Sequence, residues 1–250
     1  MALYCVGFAT DHHIPFHSKR NLGAVMNCFA DSNLKALYLG GDVADTYWCH
    51  GHGAKHPNVH AGFEVEKQAV CKYLDEIDQS FSDIPKHFIE GNHETRFERW
   101  IVNNAPQLFG VTQMKSILEF ERRKNWHYYD FNPRQLVRIQ DTNLYAKHAP
   151  PGSSAAQIMN KSSCNLIFGH IHRYISDQKI TGDRRLLRIF SPGWLGDIRF
   201  DQVFGYVQGH HNWQNGAAKI WIDDETKVWW IEHIQVINGL CVSNGKIYRA

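Results

Sequence analysis

A chain of 250 residues, 43% hydrophobic and 21% charged, is long and apolar enough to bury one sizeable core. Its formal net charge of +2 excludes the strong footprint of a dedicated polyanion binder, while leaving a local basic stripe open. No apolar run approaches the ~20 residues that a membrane span needs.

The opening MALYCVGFAT lacks the length and basic flank of a signal peptide and reads as a first strand. Further apolar, β-rich runs follow at ALYLGG (36–41), HFIEG (87–91), NLYAKH (143–148) and NLIFGH (165–170). Helical spacing falls between them, over VMNCFADS (25–32) and FEVEKQAVCKYLDEIDQSF (63–81). Short continuous apolar strands alternating with helices predict an α/β layered fold with buried sheets. From about Leu186 the texture changes to LLRIFSPGWL and two alternating runs joined by IDDETK, a hairpin signal. A C-terminal antiparallel region of the same domain is expected there, giving one domain over 1–250. Residues 46–63 form the least regular stretch, a loop long enough to be functional. The six cysteines (Cys5, Cys28, Cys49, Cys71, Cys164 and Cys241) make no CxxC pair and no dense framework. They read as thiols of a reducing compartment, so a soluble cytoplasmic protein is expected.

Histidine is the unusual component, with sixteen copies. Imidazole is the commonest side-chain metal ligand and the usual proton shuttle. Each early strand run ends in a polar cluster: Asp11 and His13 after the first, Asp42 and Asp45 after the second, Asn92 and His93 after the third. His148 ends the fourth and His170 with His172 the fifth. An extended backbone would point Asp11 and His13 the same way and His12 the opposite way. Gly41, Gly91 and Gly169 precede three of these clusters and suit tight turns. Two Asp, one Asn and four His exceed the needs of one tetrahedral site. They suit two adjacent cations sharing a carboxylate, spaced roughly 3.5–4 Å apart in hydrolytic phosphatases and nucleases. The absence of thiolates argues against a structural zinc site. Mixed imidazole and carboxylate favours Mn, Fe, Zn, Ni or Co over Mg.

Asp11-x-His13, Gly41-Asp42-x-x-Asp45, Gly91-Asn92-His93-Glu94, His148 and Gly169-His170-x-His172 resemble, in that order, the signature of calcineurin-like metallophosphoesterases. The arrangement looks most like the compact phage or bacterial members, whose setting would be the bacterial or host cytoplasm. The motifs span 11–172; singly each is as well explained by a surface turn, and jointly they are specific. The resemblance implies a four-layer α/β/β/α sandwich of two mixed sheets, carrying two divalent metal ions, Mn2+ foremost. It implies that Asp11, His13 and His172 bind one ion, that Asp42 bridges, and that Asn92, His148 and His170 bind the other. His93 becomes the general acid, oriented by Asp45, opposite an attacking hydroxide held between the ions. Ala149 departs from the glycine that follows the lone histidine in many relatives.

Other candidates have plainer readings. His50, His52, His56 and His60 are a solvated loop by default, with His52 the residue placed to reach substrate. Arg96 and Arg99 could clamp a phosphate or pair with Glu64, Glu94 or Glu98. Trp194, Trp213, Trp221, Trp229 and Trp230 could stack on bases, but strand-like alternation favours packing. The expected activity is hydrolysis of phosphate esters, as a phosphodiesterase or phosphatase on nucleotide-like or other small substrates. The alternatives are a metal-dependent nuclease acting on DNA or RNA and a non-catalytic metal-binding scaffold. No membrane partner is expected, and the sequence leaves the oligomeric state open.

Overall fold

The computed structural model describes residues 2–49, 62–200 and 212–250. The first apolar run becomes β1 (Leu3–Ala9), which is buried on both faces for most of its length. That is why it reads as continuous rather than alternating. After β1 the chain forms α1 (Lys19–Ala30), whose Ser18 hydroxyl accepts from the Asn21 amide at 3.3 Å. There follow β2 (Leu37–Leu39), α2 (Phe63–Ser80), β3 (Lys86–Ile89), α3 (Thr95–Asn104), the short α4 (Met114–Ile117) and β4 (Trp126–Tyr129). The strands β1, β2, β3 and β4 lie side by side and parallel.

A second sheet is built from β5 (Val137–Arg138), β6 (Leu144–Lys147), β7 (Asn165–Phe168), β8 (Tyr174–Ile180) and β9 (Leu186–Pro192), with α5 (Ala155–Lys161) between β6 and β7. Its order is β5-β6-β7-β9-β8, with β6, β7 and β9 parallel. The chain then returns to the first sheet as β10 (Gly216–Asp223), β11 (Trp229–Ile237), β12 (Leu240–Ser243) and β13 (Lys246–Arg249), all antiparallel to their neighbours. The IDDETK segment is the β10–β11 hairpin connection, where Asp223 Oδ1 accepts from the Glu225 and Thr226 amides at 3.1 and 2.7 Å. The strands from 186 onward are divided between the two sheets. Residues 186–192 are β9, which pairs parallel with β7 and antiparallel with β8 in the other sheet.

Three apolar clusters set the layers. Val6, Phe8, Tyr38, Ile89 and Ile220 of the first sheet meet Val137, Ala146, Ile167 and Phe190 of the second. The opposite face of the first sheet, with Ala9, Leu39 and Phe88, packs on Val25, Phe29, Val70, Leu74 and Phe97 of α1, α2 and α3. The outer face of the second, with Leu166, Phe168 and Ile189, packs on Ile158 and Met159 of α5. The architecture is therefore a four-layer α/β/β/α sandwich of two mixed sheets. Among the described residues no disulfide forms, and no described helix is long and apolar enough to cross a membrane.

Candidate metal centre

The carboxyl ends of β1, β2 and β3 in one sheet, and of β6 and β7 in the other, deliver the polar clusters. Parallel pairing within each sheet makes this convergence geometrically available, since neighbouring strands end on the same side. The local backbone differs from the extended one expected at Asp11 and His13. Asp11, His13, Asp42, His170 and His172 all adopt left-handed conformations, with φ of 53°, 54°, 50°, 73° and 55°. Each such conformation costs a non-glycine residue about 1–2 kcal/mol, and residues of this kind gather at functional sites. The left-handed turn, not strand alternation, aims Asp11 and His13 together. His12 points away, fully buried, with its Nε2 3.1 Å from the Tyr73 hydroxyl. Only Gly41 of the three glycines needs a positive φ, at 94°. Gly91 and Gly169 serve close approach, because a Cβ there would collide with the carboxylates of Asp42 and Asp11.

Two groups of donors result. In the first, His172 Nε2 lies 3.2 Å from Asp11 Oδ1 and 3.0 Å from His13 Nε2, and His13 Nε2 lies 4.0 Å from Asp11 Oδ1. In the second, His148 Nε2 lies 3.0 Å from Asp42 Oδ2 and 3.1 Å from Asn92 Oδ1, with His170 completing the group. His170 itself is exposed, but its backbone N–H donates to Asp11 Oδ1 and Oδ2 at 2.9 and 3.0 Å, tying the two groups. A third set, His13, Asp45 and His93, has different chemistry. Asp45 Oδ1 faces Nδ1 of His13 at 2.9 Å and Nδ1 of His93 at 3.0 Å, the pattern of a carboxylate orienting two imidazoles through N–H donation. Asp45 thus orients His13 as well as His93.

Electrostatics favours positive charge here. Burial opposes ionisation of Asp11, yet His172 and His148 hold its carboxyl down at about 2. Burial likewise opposes ionisation of Asp42, and His148 and His93 keep it well below the usual carboxylate range. Burial would depress His148, but Asp42 raises it to about 10. Two buried carboxylates therefore demand compensating charge, which protonated imidazole supplies when no cation does.

The donors fit divalent cations on two observations. Donors bound at about 2.0–2.2 Å sit roughly 3 Å apart around one ion, and His172 with Asp11 and His13, and His148 with Asp42 and Asn92, stand 3.0–3.2 Å apart. His148 Nδ1 is 2.9 Å from the Gly40 carbonyl and donates to it, so Nε2 is the nitrogen left to bind a cation once its proton is displaced. Asp11, His13 and His172 form one group that could hold a metal ion, and Asp42, His148 and His170 form another.

Glu94 had no distinct signal beyond its place in the motif, and the structure makes it the scaffold of the centre. Its buried carboxylate accepts from the amides of Gly91, Asp42 and Ala44 at 2.7, 3.1 and 2.9 Å. Burial, then Asp42, lift its pKa to about 7. Glu94→Gln turns an NH2 toward one of those amides. A loss of about 1–3 kcal/mol is expected for the unsatisfied donor, read as a lower thermal midpoint; an unchanged midpoint would remove Glu94 from this role.

Arg96 and Arg99 make none of the proposed glutamate pairs among the described residues. Arg96 Nη2 lies 2.7 Å from His93 Nε2 and its Nη1 donates to the Asp45 carbonyl at 3.0 Å. Arg99 Nη2 braces the Asn92 carbonyl at 2.9 Å. Trp194 is buried and stacks on the His172 ring at 5.0 Å and 14°, while Trp213 meets that ring edge-on at 4.4 Å. Trp221 donates to Glu232 at 2.8 Å. His52, with most of the histidine-rich loop, lies outside the described residues.

No protein-family model matches the chain, and no curated protein does. Solved structures similar to it include Vacuolar Protein Sorting 29 from Cryptosporidium parvum, at 12% identity and TM-score 0.49, covering 99% of this chain and 96% of that one. A phosphatase from Mycoplasma pneumoniae matches at 11% identity and TM-score 0.41, covering 94% of each chain. The nuclease MPE of Pseudomonas putida matches at 12% identity and TM-score 0.36, covering 91% and 87%.

Proposed function

We propose that the protein is a calcineurin-like metallophosphoesterase that hydrolyses phosphate esters with two divalent cations, Mn2+ foremost. The observation that carries this reading is the convergence of two three-residue donor groups, Asp11–His13–His172 and Asp42–His148–His170, at the carboxyl ends of β1, β2, β6 and β7. Asn92 would join the second group, and Asp42 would be the carboxylate shared with the first. Such a pair of ions supplies a nucleophilic water at neutral pH and neutralises phosphoryl oxygens.

The chain's own residues do the rest. Asp45 and its carbonyl hold His93 Nδ1, so Nε2, which faces the centre 3.7 Å from Asp42 Oδ2, is the nitrogen that would deliver a proton. In the free protein Arg96 occupies that nitrogen. An incoming phosphate competes for the guanidinium, and Arg96 moves to it as a clamp. His93 Nε2 is then open to carry a proton and give it to the leaving oxygen. Substrates of modest size, phosphodiester or phosphomonoester, suit a chain whose net charge is only +2.

Metal-stripped protein reconstituted with Mn2+ is expected to hydrolyse bis-p-nitrophenyl phosphate, and to stop on chelation. Silence with Mn, Fe, Zn, Ni and Co alike would sink the proposal and leave the non-catalytic scaffold.

A further inference from the structure

A groove of about 600 Å³ opens where β8, the edge strand of the five-stranded sheet, faces β11 of the other. Inside it the Arg188 guanidinium lies 3.5 Å from the Trp229 ring centroid, and Nη1 reaches the Trp229 carbonyl at 3.4 Å. Arg188 Nε is buried with no hydrogen-bond partner. Asp177 borders the groove, yet no described carboxylate forms an ion pair with this guanidinium. A partly buried cation with an unused donor is costly unless an anion completes it. Burial alone pulls its pKa below the ordinary value.

Flat aromatic surface lies beside the cation. Tyr174 stacks on His233 with centroids 4.2 Å apart and planes at 21°, and remains 42% exposed. His233, on the same face of β11 as Trp229, forms the wall behind Tyr174. Rings for stacking next to a cation with a planar donor fork match a ligand that joins a planar base to an anion. The volume matches a small molecule of that kind.

We propose that this groove binds a nucleotide, its phosphate held by Arg188 and its base laid against the exposed ring of Tyr174. The site is separate from the metal centre. Tyr174 follows His172 by two residues, but Arg188 is in register with Gln178, four residues further along β8, or roughly 13 Å. The nucleotide is either free or one unit of a strand.

The test uses the full chain stripped of metal in chelator, so the outcome is independent of phosphoesterase activity. AMP, adenosine and inorganic phosphate are titrated by calorimetry. AMP is expected to bind at least about tenfold more tightly than either fragment. Arg188→Gln is expected to weaken AMP about tenfold or more, with Arg188→Lys between. Tyr174→Ala, at a position 42% exposed that spares the core, should weaken AMP by about fivefold or more. A four-residue oligothymidylate binding tighter than AMP assigns the groove to a strand; equal or weaker binding assigns it to free nucleotide. Absence of saturable AMP binding overturns the proposal, as does unchanged affinity in folded Arg188→Gln. Should Arg188→Gln not fold, unchanged affinity in Tyr174→Ala overturns it.

Discussion

Manganese added to metal-stripped protein is expected to raise the midpoint of thermal unfolding by about 8–16 °C. An ion at a thousandfold excess over its dissociation constant stabilises the native state by about 4 kcal/mol. In a domain of this size each kcal/mol moves the midpoint by about 2–4 °C. The effect should be large here because Asp11 and Asp42 are almost fully buried and already ionised. Asp42→Asn keeps the shape and removes one of those charges, so most of the shift should vanish. The affinity should also depend on pH. Burial disfavours imidazolium at His148, but Asp42 raises its pKa to about 10. That proton stabilises the metal-free fold below the ordinary histidine pKa, and the contribution is lost as pH rises through about 10. A cation must displace it, so apparent affinity should rise about tenfold per unit between pH 7 and 9 and level off above 10. A midpoint indifferent to Mn2+ in the native sequence would contradict the cation reading.

Replacing His93 with alanine is expected to leave both cations bound and to cut turnover of diesters with poor leaving groups by about 10²–10⁴-fold. His93 contributes its imidazole to neither donor group that holds a cation in this account. Its side chain instead runs from Asp45, through Nδ1, to the Arg96 guanidinium at Nε2. A p-nitrophenyl leaving group needs little protonation, so the loss on that ester should be much smaller. Equal losses on both esters would mean that His93 does something other than supply a proton. Loss of metal in the variant would instead make it a ligand or a support for Asp42, whose Oδ1 accepts from the His93 amide at 2.8 Å.

The strand ends of the fold were legible because β1, β2, β3, β6 and β7 are buried on both faces or nearly so. Their residues read as short apolar runs, and each run stops at a polar residue. What the runs could not encode was partnership. Leu186–Pro192 has the same β-rich texture as the C-terminal strands, and only tertiary packing decides that it joins β7 and β8. The turns beyond the strands were also hidden. Asp11, His13 and His172 carry no glycine at the left-handed position itself, so nothing in composition marks a positive φ there. Glu94 illustrates the same limit, because a carboxylate before a helix usually faces water. Here three backbone amides surround it. Arg188 offered no sequence signal, since its meaning depends on Trp229, which lies on the other sheet.

Anomalous diffraction at the manganese edge, from crystals grown with Mn2+, tests the central claim most directly. Two peaks per chain are expected, one among Asp11, His13 and His172 and one among Asn92, His148 and His170, with the Asp42 carboxylate touching both. A map empty at those side chains, or a lone peak that Asp42 does not reach, would contradict the account.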